Sequence, residues 1–130
     1  MFHVIRVSSS YKMVVVCCSE RQEPRPEDPS NTYFIYNNLT DEDFEESSYR
    51  GVLGYFSGIA DGMGFGELPK EPFSSLDDVR RWREERALKS DIDSLDSLIA
   101  DESFSKNLRK KAAIELAELH RKLLALSKKV

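Results

Sequence analysis

Residues Tyr11–Cys18, YKMVVVCC, decide the architecture. Side chains alternate along an extended chain, so Tyr11, Met13, Val15 and Cys17 share one face and Lys12, Val14, Val16 and Cys18 share the other. Both faces are mostly apolar, which is the pattern of a strand buried on two sides in the middle of a sheet with helices packed on it. Upstream, Phe2–Val7 (FHVIRV) is rich in β-branched and aromatic residues, and Ser8, Ser9 and Ser10 separate the two runs. The pair reads as a β-hairpin with a short polar loop.

Downstream, residues 20–30 turn polar and place Pro24, Pro26 and Pro29 among acids, which removes donors and forbids helix, so this stretch is a loop. A third strand follows at Thr32–Tyr36, ended by Asn37 and Asn38. From Thr40 the pattern predicts a helix: Thr40 suits an N-cap, and Asp41, Glu42 and Asp43 suit the positive end of a helix dipole. Phe44, Val52, Tyr55, Phe56, Ile59 and Met63 would lie along it, stopping near Gly62. All six glycines of the chain fall between Gly51 and Gly66, inside or just after that helix.

After Pro69 and Pro72, Ser75 with Asp78 three residues on announces a helix whose buried face holds Leu76, Val79 and Trp82. Its surface alternates in charge, with Asp77–Arg81, Arg80–Glu84, Arg81–Glu85 and Glu85–Lys89 each four apart. Ser90 with Asp93 repeats the cap signature, so a bend or a fresh start is expected there. Asp101 is the expected cap of a last helix carrying Ala112, Leu116, Leu119, Leu123, Leu126 and Val130 on a seven-residue seam, which Leu108, Ala113, Ala117 and Leu124 widen. Under three heptads long, that seam is covered either inside the chain or by a second copy.

The expected fold is therefore α+β: a small antiparallel sheet in the N-terminal third, packed by helices, with a C-terminal helical hairpin. In domain terms, the 130 residues read as a single domain, in which residues 1–38 form the sheet (with a loop at 20–30), residues 40–66 form a glycine-rich helical segment and residues 75–130 supply the C-terminal helices.

Composition narrows the chemistry. Nineteen Lys and Arg against 23 Asp and Glu leave a net charge of −4, which argues against a general polyanion binder. Cys17 and Cys18 are adjacent on a strand and point to opposite faces, so they do not pair, and a disulfide scaffold is excluded. The uninterrupted apolar run Met13–Cys18 is too short for a secretory signal, Val16 before Cys17 does not fit a lipobox, and no run approaches the ~18 apolar residues of a membrane span. The expectation is a cytoplasmic protein with reduced thiols and no membrane contact.

The residues with chemical potential mostly have a plainer reading. Gly62, Gly64 and Gly66 give G-x-G-x-G without the dinucleotide fingerprint, and no Gly-Lys-Ser/Thr follows them, so close packing outweighs a phosphate cradle in which Arg50 would meet the anion. Tyr49, Tyr55, Phe56 and Phe65 flank the glycines and form a candidate partner-binding surface. Asp91, Asp93 and Asp96 lack the glycine and the ligand order of a calcium loop, and His3 and His120 have no partners at zinc-ligand spacing, so no metal and no cofactor is expected. There is no nucleophile elbow and no recognisable Cys–His context, so Cys17 and Cys18 read as buried hydrophobes.

Charge is nonetheless uneven: residues 20–46 hold nine acids and two bases, and residues 104–130 hold eight bases and two acids. Lys106, Arg109, Lys110 and Lys111 spread around a helix with no aromatic among them, so a solvated or docking face outweighs nucleic-acid contact. The same reading covers Arg80, Arg81, Arg83 and Arg86, which are interleaved with Glu84 and Glu85.

The functional expectation is a non-enzymatic intracellular interaction protein, a regulator or inhibitor of a larger protein partner such as phages and mobile elements carry as accessories. It would be a homodimer through Leu116, Leu119, Leu123 and Leu126. The alternatives are a small-ligand or nucleotide binder using Gly51–Gly66, and a nucleic-acid contact through the C-terminal basic helix.

Overall fold

In a computed structural model the chain is α+β, and the structure describes residues 1–21, 25, 28–38, 42–52, 54 and 66–127. Four strands, β1 (Phe2–Val7), β2 (Met13–Cys18), β3 (Thr32–Asn37) and β4 (Glu42–Ser47), form an antiparallel meander in the order β1-β2-β3-β4. Among the described residues, the helices α1 (Leu76–Ala100) and α2 (Lys106–Ser127) follow. The chain divides into two compact units, Met1–Arg83 and Glu84–Val130, and α1 begins in the first and ends in the second.

In the first unit β2 is interior, as its two-sided pattern requires. Met13, Val15 and Cys17 form one core with Tyr33 and Val52, joined by half-buried Ile5, Ile35 and Tyr49. Val14 and Val16 form the opposite core with Val4, Val7 and Val79, against which Phe34, Phe44, Leu76 and Trp82 pack. The first face is covered by a helical turn at residues 49–52, begun where Ser48 O accepts from Val52 N and Ser48 Oγ accepts from Gly51 N. The start of α1 covers the second.

The β1–β2 hairpin is closed by Ser8, which donates its amide to Met13 O and accepts from Met13 N through Oγ. Tyr11 turns the corner with φ at 61°, a left-handed conformation uncommon for a bulky residue. Its ring is held edge-on to Trp82 at 5.8 Å, and its hydroxyl accepts from Glu67 N. Residues 66–73 run along the outer edge of β1 and are tied at both ends. Gly66 N donates to Val7 O, and Phe73 exchanges two hydrogen bonds with Phe2.

Three local expectations are corrected. The helix expected from Thr40 is instead the strand β4: Phe44 is half-buried between exposed Asp43 and Glu45, and its ring lies 5.1 Å from Tyr36 on β3. Pairing with β3 outweighs the weak strand propensity of four acids, as tertiary context often does. Thr40 and Asp41 lie outside the described residues. Next, α1 runs through Ser90 and Asp93 without interruption; the Ser90 carbonyl takes the Ser94 hydroxyl, a bond compatible with a continuous helix. Finally, the cap of α2 is Ser105, whose Oγ accepts from Leu108 N, whereas Asp101 closes a turn by accepting from Ser103 N. The Ser75 cap of α1 forms as expected, with Oγ accepting from Asp78 N.

Candidate functional site

In the second unit the end of α1 and the start of α2 make a helical pair. Arg109 Nε donates to Ile99 O at 2.8 Å, which satisfies one of the carbonyls that the last turn of α1 leaves without an intrahelical donor. Ala112 is the buried residue of α2. At 100° per residue, Leu116, Leu119, Leu123 and Leu126 lie within roughly 40° of it, and all four are half-buried. The seam read from the sequence is therefore one face of α2.

The residues expected to widen that seam divide. Leu108 falls on the seam face, roughly 40° from Ala112, and is 42% exposed. Leu124 falls roughly 120° and Ile114 roughly 160° from Ala112, and they are 57% and 68% exposed. Ala113 and Ala117 lie on this outer side and are exposed too. In the turn before α2, Phe104 is a further large apolar side chain open to solvent.

The aromatic and glycine candidates are only partly placed. Tyr49 packs in the first sheet core with its ring 5.4 Å from that of Tyr33, while Arg50 is exposed beside it. Gly66 is a point of close approach: its amide is given to Val7 O, and an added Cβ would come within 2.8 Å of Ser8 O and 2.9 Å of Tyr11 Cζ. Tyr55, Phe56, Gly62, Gly64 and Phe65 lie outside the described residues.

The strand register brings together two residues that the sequence leaves apart. His3 and Cys17 are direct cross-strand partners on β1 and β2, both buried. Counting outward from the loop, where Val7 meets Val14 and Arg6 meets Val15, would set His3 opposite Cys18; a bulge between Val4 and Arg6 shifts the register by one and brings His3 to Cys17. Burial pushes the Cys17 thiol above its ordinary value of 9.0, against the Tyr33 hydroxyl that hydrogen-bonds to it, and the nearby Cys18 and Asp28 push in the same direction as burial. Tyr33 in turn accepts from Asn31 Nδ2. His3 Nε2 and Asn31 Oδ1 are buried with no hydrogen-bond partner among the described residues. A protonated thiol that is 1% exposed is a poor nucleophile, so this cluster acts as a packed polar end of the core.

Clefts lined by described residues open on the first unit. One of about 310 Å³ lies between β1 and the edge segment, lined by Ile5, Arg6, Val7, Gly66 and Leu68. Another, of about 160 Å³, is lined by Asp43, Glu45 and Glu46 with Asn37 and Gly51. Among the described residues no group of three or more His, Cys, Asp or Glu side chains is placed to hold a metal ion, and no helix is long and apolar enough to cross a membrane.

Of the four arginines of α1, Arg86 is exposed as the solvated-face reading expects, Arg80 and Arg81 are half-buried, and Arg83 departs from it. Arg83 is 4% exposed, its Nη1 donates to Tyr11 O, and its guanidinium lies over the Tyr36 ring. Arg80 pairs with Asp77 and with Asp43 on β4, at 3.1 and 2.8 Å. Of the expected four-apart pairs, Glu85–Lys89 forms at 2.9 Å.

No protein-family model, no curated protein and no solved structure matches this chain.

Proposed function

We propose that this chain is a non-enzymatic cytoplasmic interaction protein, a regulator or inhibitor that acts by docking α2 on a larger partner. The observation that carries the reading is the set of large apolar side chains that α2 and the turn before it leave open to solvent: Phe104, Leu108, Ile114 and Leu124. Apolar surface grouped on one helix has a free-energy reason to be covered, at about 25 cal/mol per Å² removed from water. The half-buried seam of Leu116, Leu119, Leu123 and Leu126 supports a second contact of the same kind, self-association through that face.

Photo-crosslinking tests the reading in the cells that make the protein. A photoreactive residue at Leu119 should yield an adduct at twice 14.9 kDa, and one at Leu124 an adduct with a larger protein. A chain that gives no adduct from either position, and that scatters light as a lone 14.9 kDa species at micromolar concentration, overturns it.

A further inference from the structure

The outer side of α2 carries more than apolar surface. At 100° per residue, Lys106, Lys110 and Arg121 fall in the same arc of roughly 100° as Ala113, Ile114, Ala117 and Leu124, and every one of these side chains is exposed. The two acids of the helix, Glu115 and Glu118, point outside that arc. The result is a stripe roughly 27 Å long from Lys106 to Leu124, with Ala113, Ile114 and Ala117 between Lys110 and Arg121 and with cations as its only charges.

We infer that this stripe is the docking surface for an acidic amphipathic α-helix of a partner protein. The inference rests on the interaction reading above and names the chemistry of the partner. Charge complementarity sets the partner's sign, because a helix laid along the stripe meets Lys106 and Lys110 toward one end and Arg121 toward the other. Side-chain size sets its shape. Ala113 and Ala117, four residues apart on the same side of the helix, are small enough beside Ile114 and Leu124 for a second helix to approach to about 8–10 Å between axes.

The same features disfavour other occupants. A second copy of α2 is repelled: antiparallel pairing centred between Glu115 and Leu116 sets Lys110 opposite Arg121 of the twin, and parallel pairing sets each base beside its own copy. A membrane surface gains little from a stripe whose large apolar residues are Ile114 and Leu124 alone, because interfacial helices insert a face of Trp, Phe and Leu. A nucleic-acid contact would use the bases but leave Ile114 and Leu124 uncovered.

The test uses the full chain and a fluorescein-labelled three-heptad helical peptide with Leu at the apolar positions and Glu at the flanking ones. Fluorescence anisotropy should show binding that weakens with salt and that exceeds binding of the same peptide with Lys in place of Glu by at least about tenfold. Ile114→Glu and the pair Lys110→Glu with Arg121→Glu should each weaken it by about tenfold or more, with unchanged circular dichroism because all three positions are exposed. Equal binding of the Lys peptide, or indifference to these substitutions, overturns the inference. Tighter binding to phosphatidylserine vesicles or to duplex DNA than to the Glu peptide also overturns it. A Leu124 adduct in cells combined with no Glu-peptide binding removes this inference and leaves the interaction reading standing; absence of any adduct removes the reading itself.

Discussion

The guanidinium of Arg83 lies 4.7 Å from the centroid of the Tyr36 ring. Its Nη1 donates to the Tyr11 carbonyl, at the one described non-glycine residue with a positive φ. A single buried cation from α1 thus touches β3 and the β1–β2 turn together. Stacking on an aromatic face while donating in the ring plane is a geometry that guanidinium offers and ammonium does not. Arg83→Lys should therefore destabilise by about 1–3 kcal/mol, and Arg83→Met should also lose the Tyr11 contact while keeping much of the packing. Urea denaturation of the two variants checks this. A loss below about 0.5 kcal/mol for Arg83→Lys would make the stack incidental.

Gly66 holds the edge segment against the hairpin. A methyl group there would sit 2.8 Å from Ser8 O, a backbone atom, and 2.9 Å from the ring of Tyr11. Neither neighbour gives easily, because Ser8 is buried and bonded to Met13 and the Tyr11 ring is held by Trp82. Gly66→Ala should cost about 1–3 kcal/mol through overpacking. Gly54→Ala, where a Cβ meets nothing within 4 Å among the described residues, should be neutral or stabilising. Paired thermal melts measure the contrast, and equal melting temperatures would contradict it.

How far the sequence carried depended on whether local and tertiary preferences agreed. In β2 they agree: two-sided apolar alternation can only be satisfied in a covered interior strand, and that is where it lies. In residues 42–47 they conflict. Four acids beside a good N-cap favour a helix start locally, but Phe44 alone needs burial, and pairing with Tyr33, Phe34 and Ile35 supplies it. An edge strand also tolerates charge, since acids discourage further strands from pairing with it. Arg83 was unreadable for another reason. Its neighbours Glu84 and Glu85 make the stretch look like a solvated face, and the ring it stacks on is 47 residues away in sequence, on β3. The α2 seam was legible from its spacing, but the division of the helix between a half-buried face and a cationic outer stripe needed the structure to fix which side Ala112 occupies.

The turn between the helices separates two roles that the sequence assigned to one residue. Ser105 accepts from Leu108 N and caps α2, so Ser105→Ala should lower stability by about 0.5–2 kcal/mol. Asp101 stabilises the turn ahead of it, and hydrogen bonds from the Ser103 hydroxyl and amide, aided by Arg109, hold its carboxyl below the usual value of 3.8. A carboxyl whose value is lowered by folding contributes stability that is present above its unfolded value and lost as pH falls through the folded one. Asp101→Asn should therefore lower stability near neutrality and flatten the stability curve below about pH 4, where parent and variant converge, whereas Ser105→Ala should shift it equally at both. Circular dichroism melts at the two pH values distinguish them, and a pH-independent Asp101→Asn effect would refute the assignment.

Cys17 makes the opposite prediction in pH. Its thiol is raised above 9.0, chiefly by burial, so the folded chain keeps a proton that the unfolded chain gives up. The sign follows directly: stability is fully present below the unfolded value and falls as pH rises past it toward the folded one. Cys17→Val removes the titrating group while keeping a small apolar side chain, so it should abolish the loss of stability that sets in above about pH 9. The substitution also takes away the acceptor of the Tyr33 hydroxyl, which lowers stability at neutral pH by about 0.5–1.5 kcal/mol. Thiol labelling provides an independent check. Cys18, which is half-buried, should react in the folded protein, while Cys17 at 1% exposure should react only as fast as the sheet opens. Equal labelling rates for the two cysteines in the folded chain would mean that the face of β2 holding Cys17 is open to solvent, and the packed pair with His3 would then have no basis.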